Sequence, residues 1–342
     1  MTTTPTTTST QRAPMRFHID GWDPAYGSAM EDTGEATAVA ESTARIDATV
    51  ETPPERWAPV AAGPESKDPG AVVFVDGVRR IEARVWIPDA DDTGASMGVA
   101  ASYASGAVCC CPDGGAHMLV SEQRRGLFTT DAHTTDVATK AGEFRAHHVP
   151  ADEAESPAVT LSAALQRELL ALELVTAANA RAAVSGHCAA PDTDLLVIDG
   201  PLRSRDHLPR ALGFIKTHRA IYLPPELNAV VGRLGPGERT PVFLMGTSWD
   251  RYAWYLRLPC RPGSPWVGVV RVECAASLTA KEAVELASLS QLLLPRYASV
   301  EYKDQRAPQN LVPIAGLERQ LRRRLGDQKM VYRALQLAAA SS

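Results

Sequence analysis

Val72-Val73-Phe74-Val75-Asp76-Gly77 and Leu195-Leu196-Val197-Ile198-Asp199-Gly200 share one pattern: four apolar residues, an aspartate, then a glycine. Each run is short, rich in β-branched residues and free of polar alternation, which reads as a buried strand. Each delivers a carboxylate at its C-terminal edge, where glycine permits a sharp backbone turn. One such strand is ordinary turn chemistry. Two of them, with a glutamate-bearing helix between, place several hard oxygen ligands on rigid elements. That combination suits hydrolysis assisted by a divalent cation.

The chain has 342 residues, 45% of them apolar, enough for one large α/β domain with a tail or for two domains. No apolar run approaches the roughly 18 residues of a membrane span. The Thr- and Pro-rich start has no secretory h-region. Six cysteines, three of them consecutive (Cys109, Cys110, Cys111), match neither a disulfide framework nor a paired zinc-ligand spacing. His187-Cys188 does not repair that spacing, so zinc is not expected, and a reducing, cytoplasmic compartment is.

The net charge of −5 is unevenly distributed. Residues 1–70 hold eleven acidic and five basic side chains, leaving the rest at +1. Poor in periodic apolar residues, residues 1–69 are expected to form a disordered acidic tail, with the folded domain spanning 70–342. Basic residues gather after Asp199 (Arg203, Arg205, Arg210, Lys216, Arg219) and near the C-terminus (Arg319, Arg322, Arg323, Arg324, Lys329, Arg333). Basic density beside carboxylates suits a polyanionic substrate.

Alternation over Arg79–Ile87 predicts a half-buried second strand, and small residues over Val99–Cys111 a third, joined as adjacent hairpins. Gly114–Pro157 reads as irregular, with a short strand at Met118–Val120. Ser156-Pro157 opens a helix over about Ala158–Val184. Beyond Asp199, strands are expected at Val242–Met245, Tyr252–Leu258 and Val267–Cys274. Helices are expected at Pro224–Leu234, Leu278–Leu294, Leu311–Leu325 and Met330–Ala340. Three antiparallel strands, a helix and a returning strand make an α/β, RNase H-like mixed sheet flanked by helices.

Four features in this order resemble the NurA family of DNA-repair nucleases over about residues 70–340. They are the two Asp-Gly strands, Gly213-Phe214-Ile215-Lys216-Thr217, Val270-Arg271-Val272-Glu273, and Pro308-Gln309-Asn310-Leu311-Val312-Pro313-Ile314. The resemblance implies an RNase H-like core, Mn2+- or Mg2+-dependent hydrolysis of DNA, a homodimer, and work with a HerA-type hexameric translocase in end resection. It aligns Asp76 and Asp199 with the family's two strand aspartates. The family also carries a glutamate on the intervening helix, for which Glu168 and Glu173 compete. Five residues apart, they sit about 140° apart around the axis, so only one can face a metal. Glu173, nearer the following strand, is preferred, with Glu168 turned to solvent.

The C-terminal motif departs from the family. Aligning on Pro313 puts Asn310 where members carry tyrosine and Glu318 where they carry histidine. A glutamate ligates Mn2+ well but offers no imidazolium to a leaving group. The expected catalytic set is therefore Asp76, Glu173, Asp199 and Glu318, with Asp76, Asp199 and Glu173 as metal ligands. Lys216 and Arg203 are the expected phosphate contacts. Glu273, two residues from Arg271, reads as a salt-bridge partner, His218 as a surface histidine, and Trp254 and Tyr255 as core. The same residues also fit a catalytically degenerate DNA-binding adaptor of a translocase. They fit equally an RNase H-like enzyme acting on RNA or an RNA–DNA hybrid.

Overall fold

A strand that is apolar on both faces needs cover on both, and the two Asp-Gly runs obtain it at the centre of a twelve-stranded sheet. The computed structural model describes residues 44–341, apart from 64–68, 89–93, 152–154, 189–192, 261–265, 217, 219, 301 and 305. It also describes two short strands nearer the N-terminus, β1 (His18–Ile19) and β2 (Ala40–Glu41). Then follow β3 (Arg45–Asp47), β4 (Ala71–Pro88), β5 (Ala95–Cys111), β6 (Gly115–Thr129), β7 (Val137–Thr139) and β8 (Gly142–His148). Helix α1 (Pro157–His187) precedes β9 (Asp194–Asp199), β10 (Ala211–Ile215), β11 (Ala220–Ile221) and α2 (Pro225–Gly232). The chain closes with β12 (Phe243–Gly246), β13 (Asp250–Arg257), β14 (Val269–Ala275), α3 (Ala280–Leu293), α4 (Val312–Arg324) and α5 (Gln328–Ala339).

The sheet runs β3-β12-β13-β14-β10-β9-β4-β5-β6-β8-β7, with β1 attached to β4. At its centre β4, β5 and β6 are an antiparallel meander. Strands β9 and β10 lie on the other side of β4, both parallel to it. With α1 connecting β8 back to β9, this is the expected α/β, RNase H-like mixed sheet.

Side-chain parity divides the core. Val72, Phe74 and Val78 of β4 point with Leu195, Val197, Leu212 and Phe214 toward α3 and α4, meeting Leu286, Leu293, Leu317 and Leu321. Val73, Val75, Leu196 and Ile198 point the other way, onto Ala177, Ala180 and Val184 of α1. The small residues of α1 let the long helix lie close to the strands. Each fully buried Val or Leu contributes roughly 1.5–3 kcal/mol, so both faces anchor the strand segments that carry the aspartates. No described helix is long and apolar enough to cross a membrane.

Three expectations need correction. Gly77 does not end a strand: β4 continues unbroken for 18 residues, with a register shift between Ile81 and Ala83 as its only irregularity. The runs expected as two strands are one, and the third strand of the meander is the 15-residue β6, in the stretch read as irregular. Its polar residues, half-covered rather than alternating in and out, mask its period. Gly200, by contrast, does turn the chain, with φ +115°.

The folded domain also starts earlier than residue 70. Strand β3 pairs with β12, and Trp57 is buried against Phe243 with its indole N–H donating to the Ala48 carbonyl at 3.0 Å. Both oxygens of Glu51 accept from the buried guanidinium of Arg239, at 2.7 and 2.9 Å. Residues 44–63 are thus integral to the sheet edge. Most of the segment expected to be disordered, residues 1–43, lies outside the described residues.

Candidate metal centre

Strand pairing brings the two aspartates together. With β9 parallel to β4, Val75 stands beside Ile198, so Asp76 and Asp199, one residue further on, sit side by side. Both share the parity of the residues facing α3 and α4. Helix α4 covers this spot by burying Ile314, Leu317 and Leu321. Glu318, one turn beyond Ile314, lies on the same stripe and reaches the two aspartates. One carboxylate oxygen each from Asp76, Asp199 and Glu318 lies within 4.8 Å of the others.

The charges around this trio differ. Asp76 is buried; its Oδ1 accepts the Gly77 backbone N–H at 2.7 Å, while Oδ2 is buried without a hydrogen-bond partner. Burial, then the charges of Asp199 and Glu173, push its pKa well above the ordinary carboxylate range, against a smaller pull from Lys216. Burial also raises Asp199, although the Lys216 ammonium donates to its Oδ2 at 2.5 Å. For Glu318, burial is outweighed by Arg306, and the carboxyl is held below its usual range. Arg306 grips it with two hydrogen bonds, at 3.1 and 2.8 Å. An all-carboxylate trio with an orphaned buried oxygen fits a hard divalent cation, which would satisfy Asp76 Oδ2 and relieve the mutual repulsion.

The helix glutamate does not join the trio. Glu173, as expected, is the buried one of the pair, while Glu168 is partly exposed beside His147. Yet Glu173 approaches from the α1 face, where its Oε1 would lie 2.4 Å from a Cβ placed on Gly77. Its other oxygen accepts from Arg205, itself 2% exposed. Glu173 therefore acts on Asp76 through charge, and its carboxylate is satisfied by an arginine rather than offered to a metal. Arg205, expected among the phosphate-neutralising residues, is that partner. Arg203 remains exposed in the turn after β9.

Lys216 is near the trio but engaged by Asp199, and it also donates to Asn310 Oδ1 at 3.3 Å. Asn310 in turn donates to Asp304 Oδ2 at 2.5 Å. Arg306 and Asp304 were not singled out in the sequence, because nothing in their spacing links them to Asp76. Glu273 holds the expected salt-bridge role: fully buried on the opposite sheet face, it accepts from Arg251 at 2.9 Å and Arg271 at 3.0 Å. Trp254 and Tyr255 are core. His218, expected at the surface, is instead partly buried against Tyr255 and Trp266, and that burial lowers its pKa.

No protein-family model matches this chain, and no curated protein matches it.

Proposed function

We propose that this chain is a divalent-metal-dependent DNA nuclease whose cation is held by Asp76, Asp199 and Glu318. The observation that carries this reading is the convergence of those three carboxylates, from two adjacent parallel strands and a C-terminal helix, around an unpartnered buried oxygen. Mn2+ or Mg2+ bound by such a set lowers the pKa of a coordinated water and neutralises charge on a phosphate. Asp76 supplies the oxygen that lacks any other partner. Asp199 would hold the cation while its Oδ2 accepts from the Lys216 ammonium.

Around the trio, Arg319, Arg322, Arg323 and Arg324 are exposed on α4, and Arg203 is exposed just after Asp199. The charge of Arg322 acts on Glu318, and exposed arginines of this kind offer phosphate contacts. The resemblance to NurA nucleases supports a cytoplasmic homodimer resecting DNA ends with a HerA-type hexameric translocase.

A second reading, a DNA-binding adaptor without catalysis, is favoured by one specific observation. Lys216 and Arg306 already neutralise two of the three carboxylates. Incubating the full chain with end-labelled single- and double-stranded DNA in Mn2+, Mg2+ or EDTA separates the two. The nuclease reading expects cleavage that needs metal and is lost in Asp76→Asn and in Asp199→Asn. Retained DNA binding with no cleavage under any metal establishes the adaptor, and cleavage by either variant at the wild-type rate overturns the residue assignment. Parallel RNA and RNA–DNA hybrid substrates show which sugar is accepted.

A further inference from the structure

Cys109 and Cys111, two residues apart near the end of β5, point to the same face of the sheet, the one covered by α1. In the β5–β6 hairpin, His117 stands directly opposite Cys109. Cys188 caps the C-terminus of α1 and packs against the same cluster. One ligand atom from each of the four side chains lies within 4.8 Å of the others. We propose that Cys109, Cys111, His117 and Cys188 bind a structural zinc ion in a Cys3His site.

The contacts around His117 are those of a metal ligand rather than of a residue packed among thiols. The carbonyl of Gly115, which can only accept, lies 3.3 Å from His117 Nδ1. That contact places the ring proton on Nδ1 and leaves the Nε2 lone pair free, as metal-bound imidazoles require. Nε2 is 3.3 Å from Cys188 Sγ. A tetrahedral Zn2+ with bonds of about 2.3 Å to sulfur and 2.0 Å to nitrogen sets its ligand atoms roughly 3.5–3.8 Å apart. The backbone N–H of Gly114 donates to Cys111 Sγ at 3.3 Å, which orients that sulfur.

Gly114 packs closely against two of these side chains. A Cβ there would come within 3.1 Å of both Cys111 Sγ and the His117 ring. The hairpin backbone therefore cradles two of the four ligands. As the metal–sulfur bonds form, Zn2+ displaces the thiol protons to solvent. The ion would tie the far end of α1 to the hairpin. It lies on the sheet face opposite Asp76, so this proposal does not depend on the nuclease reading.

The test uses the full chain purified under reducing conditions without chelator, followed by reconstitution with Co2+ after zinc removal. The proposal expects stoichiometric zinc by elemental analysis. It also expects a Co2+ spectrum with thiolate charge-transfer bands and tetrahedral d–d bands, which an all-carboxylate site cannot produce. Cys188→Ser and His117→Gln should each weaken zinc retention against a chelator at least ~10-fold, whereas Cys110→Ser, on the other sheet face, should leave it unchanged. Absence of both bound zinc and thiolate charge transfer overturns the proposal. So does a Cys188 disulfide to Cys109 or Cys111 in the peptide map of freshly purified protein. If a variant fails to fold, the wild-type zinc content and cobalt spectrum still decide.

Discussion

Replacing Asp76 with asparagine should stabilise the metal-free protein and destabilise the metal-loaded one relative to wild type. In the folded protein, Asp76 Oδ1 accepts the Gly77 N–H at 2.7 Å, and an asparagine Oδ1 keeps that bond. The orphaned Oδ2 becomes an amide N–H2, able to donate to the neighbouring Asp199 or Glu318 oxygens. A buried polar atom without a partner costs about 1–3 kcal/mol. Removing it, together with one of three clustered negative charges, should raise Tm in EDTA by a few degrees at this chain length. Saturating Mn2+ reverses the order. At 100 times Kd a cation stabilises wild type by about 2.7 kcal/mol, and the variant, lacking a ligand and a charge, gains far less. Calorimetry or fluorimetric melting across a Mn2+ series reads both limits. Equal Mn2+-dependent shifts in the two proteins, or a variant less stable than wild type in EDTA, would refute the reasoning.

Three further expectations follow from the same structure. Because burial raises the folded-state pKa of Asp76, its contribution to stability is present below the ordinary carboxylate range and lost as pH rises through the folded value. Metal-free melts from acid to neutral pH should therefore show the Asp76→Asn advantage growing with pH, while Mn2+ affinity by calorimetric titration tightens over the same window as the cation outcompetes the proton. A pH-independent Mn2+ affinity would contradict this. Gly77→Ala places a methyl group 2.4 Å from Glu173 Oε1 and 2.7 Å from Leu169. It should lower the urea midpoint by the equivalent of about 1–3 kcal/mol, and an unchanged midpoint would show that α1 can move aside freely. Glu51→Ala leaves the Arg239 guanidinium, 1% exposed, without its carboxylate. A loss of about 3 kcal/mol is expected, and a neutral outcome would return residues 44–63 to the tail.

The two aspartates illustrate where sequence reading works. A run of four apolar residues rich in β-branched side chains fits a doubly covered strand, so local composition places each aspartate directly after a buried strand segment, although only Asp199 ends its strand and Asp76 lies within β4. Although β5 to β8 lie between them as well as α1, β4 and β9 pair in parallel, and that register is what sets Asp76 beside Asp199. The C-terminal helices were legible for a similar reason, since their apolar residues recur at helical spacing. β6 escaped notice because its residues are half-covered by neighbours, and half-coverage leaves no period of two.

Local chemistry thus decided which segments would be buried and which carboxylates would follow them. Partnership was settled only by the folded chain. Glu173 and Arg205 meet across 32 positions, and Glu318 finds Arg306 on the same approach that brings it to Asp76. Cys109 faces His117 because hairpin register aligns them, while Cys188 arrives from the end of a helix 71 residues beyond that histidine. No spacing rule encodes such meetings. They arise from strand register, side-chain parity and the need of each buried charge for a counter-charge, all of which depend on residues remote along the chain.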